Sequence, residues 1–174
     1  MNLGQALQGE LNRLWADTEI RSPISSNRGR TTRMREIERQ HGGPAGAAAA
    51  VGVSRQTWRR WSKSGGQAPS KANLSRLQDV YEDSARPGRL RALRARLRRS
   101  KPVVTAVVRW SNSKPYNRNP HRTVKLNPVD CSGLVGPWEL GDVPLMGETF
   151  EEAVMKAYNA PEIRFEGDAV TVSL

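Results

Sequence analysis

Leu3, Leu7, Leu11 and Leu14 recur at helical spacing with Trp15 alongside, which predicts one short amphipathic helix at the start of the chain. It would pack against the body of the protein or against a second copy. The stretch RSPISSNRGR (21–30) has Pro, Ser and Gly in place of periodicity and reads as a flexible basic linker. Helical character resumes at TTRMREIERQHG, where Met34 and Ile37 would face a core, and continues to about Arg99. From Pro102 the pattern changes kind. VVTAVVRW (103–110) is β-branched and partly alternating, so it reads as a strand, and HRTVKL (121–126) as its partner across the polar NSKPYNRNP. Thr149 followed by Glu152 predicts a capping box opening the helix FEEAVMKAY. EIRFE and AVTVSL, on either side of Gly167-Asp168, read as a closing hairpin.

These elements predict an α+β fold without internal repeats. Residues 1–30 form an N-terminal helix and linker, 31–84 a helical domain, 85–101 a basic connecting helix, and 102–174 a small β-β-α-β-β domain.

Composition narrows the class. The 174 residues contain 28 Lys+Arg against 17 Asp+Glu, a net charge of +11, which favours a polyanionic partner. No apolar run approaches the roughly 18 residues that cross a bilayer, so no membrane partner is expected. The opening residues lack the apolar segment of a signal peptide, and the expected location is the cytoplasm. One cysteine, Cys131, leaves no disulfide framework, and His41 and His121 have no metal-ligand spacing around them. The charge is uneven. Residues 1–101 carry 21 basic and 8 acidic side chains, while residues 102–174 carry 7 and 9. A solubilising excess would not stop at Pro102, so the basic half is read as the part that meets nucleic acid.

AAAAVGVSRQTWRRW (47–61) gives that charge a geometry. A helix-turn-helix needs a small residue where its helices cross, a turn residue tolerant of positive φ, and apolar positions inside the second helix. Ala48 supplies the first, Gly52 the second, and Val53, Trp58 and Trp61 the third. Ser54 stands where an N-cap belongs. Arg55, Gln56, Arg59, Arg60 and Lys63 are then left facing outward, and with Ser54 they make the expected DNA-binding set. Arg can fork onto guanine and Gln onto adenine in the major groove. The competing reading is an ordinary helical hairpin with a solvated basic face. The string GVSRQTW resembles the turn and recognition helix of bacterial repressors and recombinase-type DNA-binding domains. Leu74, Leu77, Val80 and Tyr81, behind the cap Ser70, would supply the supporting helix.

RPGRLRALRARLRRSK (86–101) holds eight basic residues and no acidic one, with Leu90, Leu93 and Leu97 as a thin apolar stripe. It reads as a helix that grips DNA phosphates, with Arg94 and Arg98 among its contacts, or as a solvated linker helix.

Catalysis by the chain alone is not expected. None of the carboxylates after Pro102 falls in a metal-binding pattern, and Glu151, Glu152 and Asp168 suit a helix N-terminus and a turn. Walker-type glycine loops and Ser-His-Asp sets are lacking as well. Cys131 and His121 read as packing or surface residues.

The order of elements over residues 30–174 (a basic helix-turn-helix half with VGVSRQTWRR, a strand ending Arg109-Trp110, a polar loop, a helix-plus-hairpin end) resembles the Streptomyces-type telomere terminal proteins. That resemblance implies a bacterial, nucleoid-associated protein joined through a side-chain hydroxyl to the 5′ end of DNA. It would prime end replication of linear replicons, with a DNA polymerase and a telomere-binding protein as partners. No cofactor would be bound by this chain, Mg²⁺ entering only through the polymerase. The family's linkage threonine lies just after the arginine-plus-aromatic strand. The closest hydroxyl here is Ser113, a serine, with Ser111 beside it and Thr105, Thr123 and Tyr116 less well placed. Ser113 equally suits turn hydrogen bonding. Two other readings stand beside this one: a non-covalent transcriptional repressor whose C-terminal domain dimerises or binds another protein, and a plasmid or phage replication or partition factor. Duplex or single-stranded DNA and a homodimer are all compatible with the sequence.

Overall fold

A computed structural model describes residues 1–63, 67–110 and 122–174. In chain order the elements are α1 (Leu3–Ala16), α2 (Asn27–Gln40), α3 (Pro44–Val51), α4 (Arg55–Ser62), α5 (Lys71–Leu97), β1 (Val103–Trp110), β2 (Arg122–Lys125), a short 3-10 turn, α6 (Val135–Leu140), α7 (Val143–Tyr158) and β3 (Ile163–Ser173). The protein is α+β and divides into two units, one of Glu19–Arg89 and one of Met1–Thr18 with Leu90–Leu174.

The Glu19–Arg89 unit is helical. Met34 and Ile37 of α2, Ala47, Ala48 and Val51 of α3, Trp58 and Trp61 of α4, and Leu77, Tyr81 and Ala85 of α5 form its core. The stretch 21–30, expected as a flexible linker, is instead tied down. Ile20 and Ile24 pack on the core. The buried Arg33 donates from Nη1 to the Ser22 carbonyl at 2.9 Å and lies 5.3 Å from the Tyr81 ring centre. Ser26 caps α2 by accepting from the Gly29 N–H at 3.0 Å, so the helix starts four residues before Thr31. Gly29 is required there, because a Cβ would collide with the Ser22 and Pro23 carbonyls.

The basic connecting helix is not a separate element, for α5 runs through Pro87 to Leu97. Its apolar positions explain the continuity. Leu77, Tyr81 and Ala85 serve the helical core, and Leu90, Leu93 and Leu97 serve the core of the other unit. Each half of the helix therefore has its own tertiary support, which outweighs the proline's lost hydrogen bond.

In the second unit, α1 belongs to the body of the protein. Leu3, Leu7, Leu11 and Leu14 share a core with Phe150 and Val154 of α7, Val104 and Ala106 of β1, and Ile163 and Phe165 of β3. The sheet has three antiparallel strands in the order β2-β1-β3. The expected pairing of 103–110 with 121–126 is present between Val103–Ala106 and Arg122–Lys125, with Val103 opposite Lys125 and Ala106 opposite Arg122.

Two expectations fail in this unit. The closing hairpin is one strand, so the β-β-α-β-β layout has a single strand after α7. Both arms pair with β1, Arg164 and Phe165 opposite Arg109 and Val108, Thr171 and Val172 opposite Thr105 and Val104. The break in register between them includes Gly167 at φ 123°, so the Gly-Asp pair makes a bulge rather than a reversal. The helix expected from Thr149 begins at Val143, capped by Asp142, whose carboxylate accepts from the Leu145 N–H at 3.1 Å. Pro144 in the first turn and the stripe Met146, Phe150, Val154 make this the stronger start. Glu151 is consequently mid-helix and buried. It accepts from the Phe165 N–H at 2.9 Å and from Arg164 at 2.8 Å, fastening α7 to β3 rather than serving a helix N-terminus.

Glu10 ties the two ends of the unit together. It is buried on α1, receives both forks of Arg13 at 2.7 Å, and accepts from the Leu174 N–H at 3.1 Å. Burial pulls its carboxyl upward, but the Arg13 and Leu174 hydrogen bonds and the charges of Arg13 and Arg96 outweigh it, so it lies below the ordinary range. A depressed carboxylate contributes stability that is present above its unfolded value of about 4.3 and is lost as pH falls through the folded value. Urea denaturation between about pH 6 and about pH 3 should therefore show a steeper loss of stability in the natural protein than in Glu10→Gln. Equal pH dependence in the two proteins would show that Glu10 is not coupled to folding.

Candidate nucleic-acid interface

α3 and α4 have eight residues each, too short to persist alone in water. Their junction is built from four features. Gly43 and Pro44 open α3, and Gly46 lets it lie against the His41 carbonyl, where a Cβ would collide. Ala47, Ala48 and Val51 are buried, which lets neighbouring helices approach closely. Gly52 ends the helix at φ 74°, its N–H donating to the Ala49 carbonyl at 3.0 Å, while the Val53 N–H reaches the Ala48 carbonyl at 2.9 Å. Ser54 then caps α4, its Oγ accepting from the Thr57 N–H at 3.1 Å and lying 2.9 Å from the Thr57 hydroxyl.

Two indoles fix how α4 is rotated. Trp58 and Trp61 are buried with ring centres 6.3 Å apart and planes tilted by 50°. Trp58 Nε1 donates to Glu38 Oε1 at 2.7 Å, a charge-assisted bond that satisfies the buried indole and joins α4 to α2. Glu38 was not singled out by sequence reasoning. The only signal available was that a buried indole N–H needs an acceptor, and nothing in the sequence says which carboxylate supplies it.

With the indoles turned inward, Arg55, Gln56, Arg59, Arg60 and Lys63 are all exposed, as is Ser54 at the cap. Among the described residues, Arg55, Arg59, Arg60 and Lys63 make no ion pair. Their charge is not used inside the fold. The Glu19–Arg89 unit as a whole carries 14 basic and 6 acidic side chains, a net of +8.

The structure brings these residues onto one short helix and its cap, but it does not bring the whole expected set together. Arg94 and Arg98 belong to the other unit. Arg94 is partly engaged, 3.4 Å from Glu139, whereas Arg98 is exposed. Ser113, Ser111, Tyr116 and His121 lie outside the described residues. Thr105 and Thr123 sit opposite each other on β1 and β2 with hydroxyls 2.8 Å apart. Cys131 is buried, and burial pushes its thiol up to about 11 despite the Ser100 hydrogen bond, which removes it as a nucleophile at neutral pH. Among the described residues, no group of three His, Cys, Asp or Glu side chains is placed to hold a metal ion, and no helix is long and apolar enough to cross a membrane.

Comparison with protein-family profiles, curated proteins and solved structures gives no match.

The turn and its cap make separable contributions. Ser54→Ala should cost about 1 kcal/mol in chemical denaturation and speed hydrogen exchange at the Thr57 amide, with Ser54→Asp restoring both. Gly52→Ala places a Cβ in the left-handed region and should cost about 1–2 kcal/mol. Unchanged exchange at Thr57 in Ser54→Ala would show that α4 does not depend on its cap.

Proposed function

We propose that α3, the Gly52 turn and α4 form a helix-turn-helix, and that the protein binds duplex DNA with α4 in the major groove. The observation that carries this reading is the exposed face of α4 and its C-cap, where four cations that make no ion pair among the described residues accompany Gln56 on a helix whose other face is sealed by two tryptophans. Arg55 and Gln56, at the start of the helix, are the base-reading residues. Arg59, Arg60 and Lys63 hold phosphates and make affinity salt-dependent. On the second unit, considered by itself, exposed Arg98 is suited to phosphate contact, and Arg94 is so to the extent that Glu139 releases it.

Within DNA binding, the sharper reading is a telomeric terminal protein. It rests on the VGVSRQTWRR string and the order of elements, of which the last is a helix and one bulged strand rather than a helix and hairpin. In that role the Ser113 hydroxyl attacks the α-phosphorus of a nucleotide held by a partner polymerase and its Mg²⁺. Pyrophosphate leaves, the hydroxyl proton is lost to solvent, and a phosphodiester links protein to DNA.

Two measurements test these layers separately. A bidentate base contact is worth about 1–3 kcal/mol, so Arg55→Ala with Arg59→Ala should weaken binding to a selected duplex site by about 30-fold or more. The log-log salt slope should become shallower at the same time. Unchanged affinity and specificity would mean that α4 is not the reading helix. For priming, the protein is incubated with labelled deoxynucleotide, Mg²⁺ and extract of a host that carries linear replicons, then run on a denaturing gel. Label retained on the protein and absent in Ser113→Ala supports covalent linkage. Absence of label together with tight binding to a palindromic site favours a non-covalent repressor.

A further inference from the structure

From Leu126 to Met155 the chain contains no Lys, Arg or His and six Asp or Glu, in a protein of net charge +11. This block folds as the 3-10 turn, α6 and nearly all of α7, within the second unit. Three of its carboxylates are occupied within the fold. Glu151 is fastened to β3, Asp130 accepts from the Ser132 N–H at 2.9 Å, and Glu139 lies 3.4 Å from Arg94. Asp142 caps α7 but remains exposed, and Glu148 and Glu152 project from the same helix, also exposed.

The corner between α6 and α7 is also where the fold leaves apolar surface uncovered. Leu140 is 81% exposed and Leu145 40%, on either side of the Gly141-Asp142 turn, and Met1 is the only other exposed large hydrophobic among the described residues. Pro144 beside them is exposed, and Val143 and Trp138 are half-buried. On α7, Leu145, Glu148 and Glu152 follow at three and seven residues, the spacing of one helix face. Lys156 follows Glu152 by four residues on α7 and Arg164 feels the charge of Glu148, so the carboxylates that face outward at the corner itself are Asp142, Glu148 and Glu152, in excess over these two cations. Exposed leucine beside such an excess of carboxylates disfavours DNA phosphate and is poorly served by water alone.

We propose that the α6–α7 corner is a protein-docking surface that takes a basic segment with a bulky apolar anchor. The anchor sits on Leu140, Leu145 and Pro144, and flanking Lys or Arg side chains pair with Asp142, Glu148 and Glu152. Charge complementarity selects this occupant over a second copy of the same corner, because a two-fold pairing would set the two acidic rims against each other. The surface does not depend on α4 reading DNA.

The test uses the full-length protein and a displayed library of random short peptides. Sequences enriched on the natural protein should combine Lys or Arg with a bulky apolar residue. Their affinity should fall at least tenfold with Leu140→Ser/Leu145→Ser, fall similarly with Glu148→Lys/Glu152→Lys, and weaken as salt is raised. These positions are exposed, so both variants should keep the natural circular dichroism spectrum and melting temperature. Failure to enrich any peptide, enrichment of peptides without basic residues, or equal binding by the natural protein and both variants overturns the proposal. Sedimentation velocity covers the remaining occupant. A natural dimer that becomes monomeric in Leu140→Ser/Leu145→Ser would assign the corner to self-association instead.

Discussion

The DNA-reading face proposed for this protein depends on the burial of two indoles. An eight-residue helix has no more than a turn or so of internal hydrogen bonds after its ends are discounted, and it melts unless something outside it holds it. For α4 that support is the inward face of Trp58 and Trp61, with the Trp58 N–H held by Glu38. The same burial determines which side chains face solvent. Rotating α4 to expose an indole would strand a hydrogen-bonding group and a large apolar surface at once, so the outward position of Arg55, Gln56, Arg59 and Arg60 is imposed by the core. Gly52 and Ser54 only have to deliver the chain to the right starting point.

Charge is distributed by folded unit rather than by half of the sequence. The unit containing α4 carries a net of +8, while the other mixes the arginines that close α5 with a thirty-residue block free of cations. Arg91, Arg94, Arg96, Arg98 and Arg99 look in sequence like an extension of the basic helical part, yet Leu90, Leu93 and Leu97 build that stretch into the core of the second unit. Its sequence thus holds an arginine-rich stretch and a block without cations side by side in one folded unit.

The legible parts of the sequence were those where local chemistry and tertiary demand agree. The turn at Gly52, the cap at Ser54, the inward tryptophans and the pairing of 103–110 with 121–126 all follow from short-range rules. The misread parts are those where a local signal was overruled by a distant partner. Gly167-Asp168 has turn chemistry, but β1 is long enough to pair with both flanking arms. Thr149 and Glu152 have capping-box spacing, yet a core stripe from Met146 carries the helix through them. Pro87 marks a break, but leucines beyond it have a core to enter. Residues 21–26 lack periodicity, yet Arg33 holds the Ser22 carbonyl and Ile24 packs on the core, contacts that composition does not reveal. Glu38 was invisible for the same reason, since its significance lies twenty residues away.

The latch between Glu10 and the Leu174 amide has a consequence for how the molecule is made. Residues 19–89 are inserted between two sequence segments that must find each other, and the Met1 carbonyl meets the Val170 N–H across nearly the whole chain. On the ribosome the helical unit has all of its core residues by the time α5 emerges, whereas the leucines of α1 have to wait for β3. The ordering follows the chain: α4 can be complete while the second unit is still an unpaired amphipathic helix and a growing strand. Closing that long loop carries the entropy cost of the second unit, and until it closes the stripe Leu3, Leu7, Leu11, Leu14 has no core to enter.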